Sequence, residues 1–185
     1  MTYYGGRELA AAFRTVRRNT IGMAGEIPEE KYGFRPAPDC RSVAHTLAHI
    51  ALLTRFSTHV HGTGVTDLAT IDFPAFMQAA AAEEAKPRTK AELLALLKTE
   101  GDLFAAFLEG CSEAFLAERV AMPPGAEPAS KSRFEMLMSA KEHEMHHRGQ
   151  LMTAQRMLGL VPHLTRQAQE RFAARAAAAQ AQAGR

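Results

Sequence analysis

Apolar side chains recur at three- and four-residue intervals along almost the whole chain, while alternating runs of Val, Ile, Thr and aromatics are missing. A helix repeats its faces every 3.6 residues and a strand every two, so this pattern calls for helices and leaves little to pair as a sheet. The fold class expected is all-α. Four long periodic segments, residues 7–24, 41–61, 90–109 and 131–158, predict a four-helix bundle.

The breaks between these segments have local causes. Pro28, Pro36, Pro38 and Gly33 block helical hydrogen bonding and force an extended connection before the second helix. Thr89 and Glu92 have capping-box spacing at the start of the third helix, and Gly110 is placed to end it. The stretch "MPPGAEPAS", residues 122–130, reads as a plain linker. Gly159 followed by Pro162 closes the fourth helix. Connections this long point to crossover loops rather than tight hairpins.

Residues 1–162 are therefore expected to form the bundle domain, and residues 163–185 an Ala/Arg/Gln-rich extension forming an extra C-terminal helix. The extension has few large apolar residues beyond Leu164 and Phe172, so it reads as a solvated terminal helix, with an arm packing on a partner subunit as the alternative.

A chain of 185 residues can bury a core without disulfides or a structural metal. Its formal charge of +2, with basic and acidic residues intermixed, gives no nucleic-acid footprint, and "TVRRN" and the tail arginines read as solvated faces. Cys40 and Cys111 are too few for a disulfide scaffold and lack Cys-x-x-Cys spacing, so both read as buried or inert thiols. No secretory h-region or membrane-spanning window is present, which makes the cytosol the expected location, without a membrane partner.

The chemistry concentrates in the histidines. In "KEHEMHHRGQ", residues 141–150, His143 and His147 fall within about 40° of each other on a helix, on the side that carries Met136, Ala140, Leu151, Ala154 and Leu158. His146 is turned towards the edge. In the second helix His49 lies between the Val43, Leu47, Ile50, Leu53 stripe and the side holding Leu52 and Phe56. His45 lies nearer the solvent boundary as a surface residue or a support for a ligand, and His59 and His61 read as solvated. One histidine from the second helix and two from the fourth supply three nitrogens to the bundle interior. That is the composition of an open metal site, suited to zinc or nickel, with ferrous iron also compatible.

The same residues match the H-E-x-x-H pattern of zinc peptidases, in which the glutamate is the general base. That reading fails on its extensions. Gln150 and Thr153 stand where a longer peptidase motif needs Gly and His, Glu170 sits in the weakly docked tail, and no edge strand is expected to hold a peptide. Glu144 then reads as incidental, and Glu144, Glu142 and His146 are only weak candidates for a general base.

"IPEEKYGFRPAPDCRSVAHTLAHIA" (residues 27–51) followed by "HEMHHRGQLMTAQRMLGLVP" (residues 143–162) resembles the DinB/YfiT-like family of metal-binding four-helix bundles. The resemblance runs from about residue 8 to 162 and leaves the tail outside. It implies an up-down-down-up bundle, commonly a homodimer, holding one divalent metal ion through His49, His143 and His147. It also implies a small-molecule substrate. Members include transferases that attach low-molecular-weight thiols to electrophiles, and metal-dependent hydrolases. Thiol transfer is placed first here and hydrolysis second, with a non-catalytic metal-binding stress-response protein as the third reading. A second stripe on the fourth helix, Phe134, Met138, Met145 and Met152, either packs on the bundle or C-terminal arm or forms the subunit interface.

Overall fold

The Glu8 carboxylate accepts a hydrogen bond from the Gly5 backbone N–H at 2.9 Å, and this cap opens α1, Gly6–Glu26. In the computed structural model, which describes residues 4–183, α1 is followed by α2 (Val43–Gly62), α3 (Phe73–Glu84), α4 (Lys90–Glu109), α5 (Glu113–Ala117), α6 (Arg133–Met157) and α7 (His163–Ala183). Helices α1, α2, α4 and α6 lie within two residues of the four expected segments. Their ends follow the local chemistry. Ser42 caps α2, Thr89 and Glu92 form the capping box of α4, and Ser132 with Glu135 does the same for α6. Beyond the end of α6, Gly159 takes a φ of +79°, a conformation in which a side chain would be strained.

Three elements depart from the expected pattern. α3 is an Ala-rich helix with no buried residue, held on α2 by Phe73 and Phe76 against Phe56 at ring-centroid distances of 5.8 and 4.9 Å. Without a core-facing stripe it leaves no periodic signal. α5 is only five residues long. The segment read as a plain linker joins a small antiparallel hairpin, β1 (Arg119–Ala121) and β2 (Ser130–Ser132), paired Arg119 to Ser132, Val120 to Lys131 and Ala121 to Ser130. Strands of three residues are too short to show an alternation.

Pairs of contacts fix the helix directions. Lys90 reaches the carbonyls of Gly25 and Ile27 at 2.6 and 2.8 Å while Arg14 pairs with Glu109 at 2.7 Å, so α1 and α4 are antiparallel. Arg55 meets Glu100 at 2.5 Å and Gly62 lies beside Phe107, so α2 and α4 are parallel. His49 faces His143 and His61 faces Arg133, which makes α6 antiparallel to α2. The result is the up-down-down-up bundle. α1 and α2 each pack on both α4 and α6, so they stand diagonally across it. Parallel α2 and α4 require the chain to return the length of the bundle, and residues 63–89 make that return with α3.

Two apolar clusters fill the interior. One gathers Met23, Ile27, Leu47, Ile50, Leu97 and Leu151; the other gathers Leu9, Phe13, Phe104, Leu108 and Leu137. Along α1 and α6 a polar layer separates them. Arg17, expected on a solvated face as part of "TVRRN", is instead 4% exposed. Its Nε donates to both oxygens of Glu144 at 3.0 and 3.1 Å, its Nη1 to the Leu97 carbonyl at 2.6 Å, and its Nη2 to the Ile50 carbonyl at 3.2 Å. One side chain on α1 thus ties α2, α4 and α6. Gly101 makes room for it, since a Cβ there would lie 2.8 Å from the Arg17 Cγ. Arg18, its neighbour, is exposed as expected.

His61 is a second correction. Read as solvated, it is 3% exposed, and its Nδ1 accepts from the buried Arg133 guanidinium at 3.1 Å. His61 lies on the buried face of the last turn of α2, and Arg133 has Glu118 at 2.9 Å and the Phe115 ring face as further partners. Burial, and then the Arg133 charge, push the His61 pKa down from 6.5 to about 4. Between those values the unfolded chain binds the proton that the folded one refuses, so this contribution to stability is complete above pH 6.5 and is lost as the pH falls towards 4. Urea denaturation at pH 7 and pH 5 is expected to show a larger loss for the native protein than for His61→Leu. Equal losses would remove His61 from the account.

α7 is tethered at its start by an Arg166–Glu26 ion pair and by Arg156 donating to Thr165 at 3.0 Å. Residues 169–182 are exposed, with Phe172 at 68%, as a solvated terminal helix would be. Of the second stripe on α6, Phe134, Met138 and Met152 pack against the bundle's own clusters, and Met145 is exposed. Among the described residues no helix is long and apolar enough to cross a membrane.

Candidate metal centre

His143 and His147 stand one turn apart on α6, and His49 faces them from α2. The His143 Nε2 lies 3.2 Å from the His147 Nε2 and 3.4 Å from the His49 Nε2, and ligand nitrogens of all three fall within 4.8 Å of one another. Two nitrogens bound tetrahedrally at the usual zinc–imidazole length would be about 3.3 Å apart. The observed edges fit that figure. Three ring nitrogens this close need a proton or a cation between them, because bare lone pairs repel, and their spacing suits a metal ion.

The opposite ring nitrogens set the tautomers. The His49 Nδ1–H donates to the Glu84 Oε1 at 2.7 Å, and the His147 Nδ1–H donates to the Gln150 Oε1 at 2.8 Å. Each bond keeps the proton on Nδ1 and leaves the Nε2 lone pair aimed at the centre. The Gln150 amide nitrogen in turn donates to the His146 Nε2 at 3.0 Å, which gives the exposed His146 a supporting place. The His143 Nδ1 is buried and has no hydrogen-bond partner among the described residues. Burial, then the neighbouring His147 and His49, push the His143 pKa down to about 4. Burial also lowers that of His147, against the opposing Gln150 hydrogen bond. Both rings are therefore neutral at pH 7, the protonation state that ligates metals.

All three sequence-selected histidines thus meet. His45, read as a surface or supporting residue, lies half-buried with its Nε2 3.5 Å from the Glu84 Oε2. His59 is exposed, as expected. Glu84, the last residue of α3, was not legible because α3 itself was not. It is the carboxylate behind His49, and removing it leaves the ring free to turn. Glu84→Ala is expected to weaken zinc binding about 10–100-fold, with Glu84→Asp intermediate, in a competition against a chromogenic chelator. Unchanged affinity in both would show that α2 packing alone orients His49.

Glu144 does not take part. It is 2% exposed and turned to Arg17, so the glutamate of the H-E-x-x-H pattern is held in a buried ion pair. Its place was visible in the periodicity, since residues 137, 140, 144, 147, 151 and 154 form one core face. Glu142 is exposed.

A cavity of about 460 Å³ opens against His147 and Gln150, with Cys40, Arg41, Val43, Leu151 and Ala154 among its walls. Its size is that of a small-molecule site. Both cysteines are half-buried and free, and burial raises the Cys111 pKa, as for an inert thiol.

The comparisons agree with this architecture. The chain is similar to a DinB-like protein from Bacillus subtilis at 24% identity and a TM-score of 0.60, covering 82% of this chain and 92% of that one. It is similar to YfiT from Bacillus subtilis, described as a probable metal-dependent hydrolase with an unusual four-helix bundle topology, at 14% identity and a TM-score of 0.65, covering 86% and 91%. The mycothiol-dependent maleylpyruvate isomerase matches at 15% identity and a TM-score of 0.60, over 80% of this chain and 62% of that protein. No curated protein matches the chain. The family model of the DinB superfamily matches residues 12–151, which span α2 and most of α6 and include all three histidines, and the chain belongs to that superfamily.

Proposed function

We propose that the protein is a divalent-metal-dependent enzyme that transfers a low-molecular-weight thiol to an electrophile, with His49, His143 and His147 as its metal ligands. The observation that carries this reading is the convergence of three Nε2 atoms beside a cavity of small-molecule size. Three ligands leave a position for a further donor, and a bound zinc, nickel or ferrous ion supplies Lewis acidity that favours the ionised form of a thiol brought to it. Glu84 and Gln150 hold two of the rings in the required tautomer, and Val43, Leu151 and Ala154 give the cavity an apolar side against which the electrophile would rest.

A thiol needs less help from a base than water does. That favours transfer here, because the nearby carboxylates of Glu144 and Glu84 are committed to Arg17 and His49. The thiol dependence of one structural neighbour supports the same choice. The description of YfiT as a metal-dependent hydrolase keeps hydrolysis as the second reading.

The test is to incubate zinc-loaded and metal-stripped protein with cysteine and a bromobimane electrophile, and in parallel with an activated ester. Metal-dependent conjugation is the expected result. Metal-dependent ester cleavage without conjugation would move the protein to the hydrolase reading, and neither activity under several metals and thiols would leave a metal-binding role.

A further inference from the structure

Four arginines near the centre are committed to the protein, while Arg148, next to His147 in sequence, has a buried Nη1 without a hydrogen-bond partner among the described residues but does not line the cavity. Arg17 donates to Leu97, Arg35 to the Cys40 carbonyl at 2.6 Å, Arg55 to Glu100 and Arg88 to Glu83. Arg41 differs. It lines the cavity beside His147, and among the described residues it donates no hydrogen bond. Its one ion-pair contact, Nε to the Glu84 Oε2, is 4.0 Å long, and that carboxylate already holds His49. A guanidinium carries five N–H donors in a fixed fork that matches a carboxylate, and here the fork, 43% exposed, makes no hydrogen bond among the described residues and lies on the wall of a cavity lined by both polar and apolar side chains.

Two carboxylates share the surroundings of this fork: Glu84, already bonded to His49, and Asp39, which lies on the same cavity lining and is exposed like Arg41 itself. A divalent ion held by the three histidines would add positive charge at the same site. Pro36, Val43, Leu151 and Ala154 supply the remaining apolar surface. A cavity of about 460 Å³ admits a body the size of one aromatic ring with a short chain.

We propose that Arg41 anchors a carboxylate of the substrate, so that the site selects a small organic acid with an apolar body over its neutral counterpart. This rests on the reading that the cavity beside the histidines is the substrate site, but it does not require the transfer chemistry. The test is equilibrium binding, by calorimetry, of 3-phenylpropanoate and of 3-phenylpropanamide to the zinc-loaded protein and to its Arg41→Gln and Arg41→Lys variants at saturating zinc.

The native protein is expected to bind the acid about ten-fold or more tightly than the amide, the size of a charge-assisted hydrogen bond. Arg41→Gln is expected to abolish that preference and Arg41→Lys to restore part of it. Equal binding of acid and amide by the native protein overturns the proposal. So does a preference that survives Arg41→Gln, since the carboxylate would then sit on the metal, and so does the absence of binding at millimolar concentration. Binding of the acid through Arg41 without any thiol conjugation would sink the transferase reading and leave this one standing.

Discussion

Arg17→Ala is expected to lower folding stability by about 3–5 kcal/mol, the range for breaking a buried ion pair by removing one partner. The loss has three sources. Glu144, 2% exposed, would keep its charge without a counter-ion, a space would open beside Gly101, and the link from α1 to the carbonyls of Leu97 and Ile50 would vanish. The double replacement Arg17→Met with Glu144→Leu is expected to recover most of the loss, because apolar residues of similar volume need no desolvated charge. Urea denaturation of the three proteins measures both effects. A loss below about 1 kcal/mol for Arg17→Ala would mean that water reaches Glu144 and that the layer is not the buried tie described here.

His49→Ala and His147→Ala are expected to reduce zinc from near one equivalent to a trace after dialysis while the far-ultraviolet circular dichroism stays helical. Each removes one of three ligands, whereas the apolar clusters around Leu47 and Leu151 remain. Because a ligand that binds only the folded state raises stability with its concentration, added zinc should raise the Tm of the native protein and leave that of His49→Ala nearly unchanged. His61→Ala supplies the contrast. It should retain zinc, since it lies at the Arg133 end of α2, but fold less stably because it is buried. Stoichiometric zinc in both ligand variants would show that the three histidines are not the site.

Much of this was legible in the residues. The four long helices, their ends at Thr89, Gly110 and Gly159, and the meeting of His49 with His143 and His147 follow from helical periodicity, capping chemistry and a recognisable pair of motifs. Arg17 and Glu144 were in the pattern too. Both occupy core-face positions of their helices, and only their charge argued for solvent. Residue type outweighed position, and position was right.

What the sequence by itself determined is the set of helical faces and which of them carry nitrogen donors, because those depend on spacing within one helix. The tertiary structure alone decided which residue of one element meets which residue of another. Glu84 stands behind His49 because the return from α2 to parallel α4 lays α3 against Phe56, Arg17 finds Glu144 because α1 runs parallel to α6, and His61 is buried because α6 begins with Arg133 opposite it. No local signal encodes these meetings. They arise from packing separate faces into one interior, where each buried charge must find the partner that the fold brings within reach.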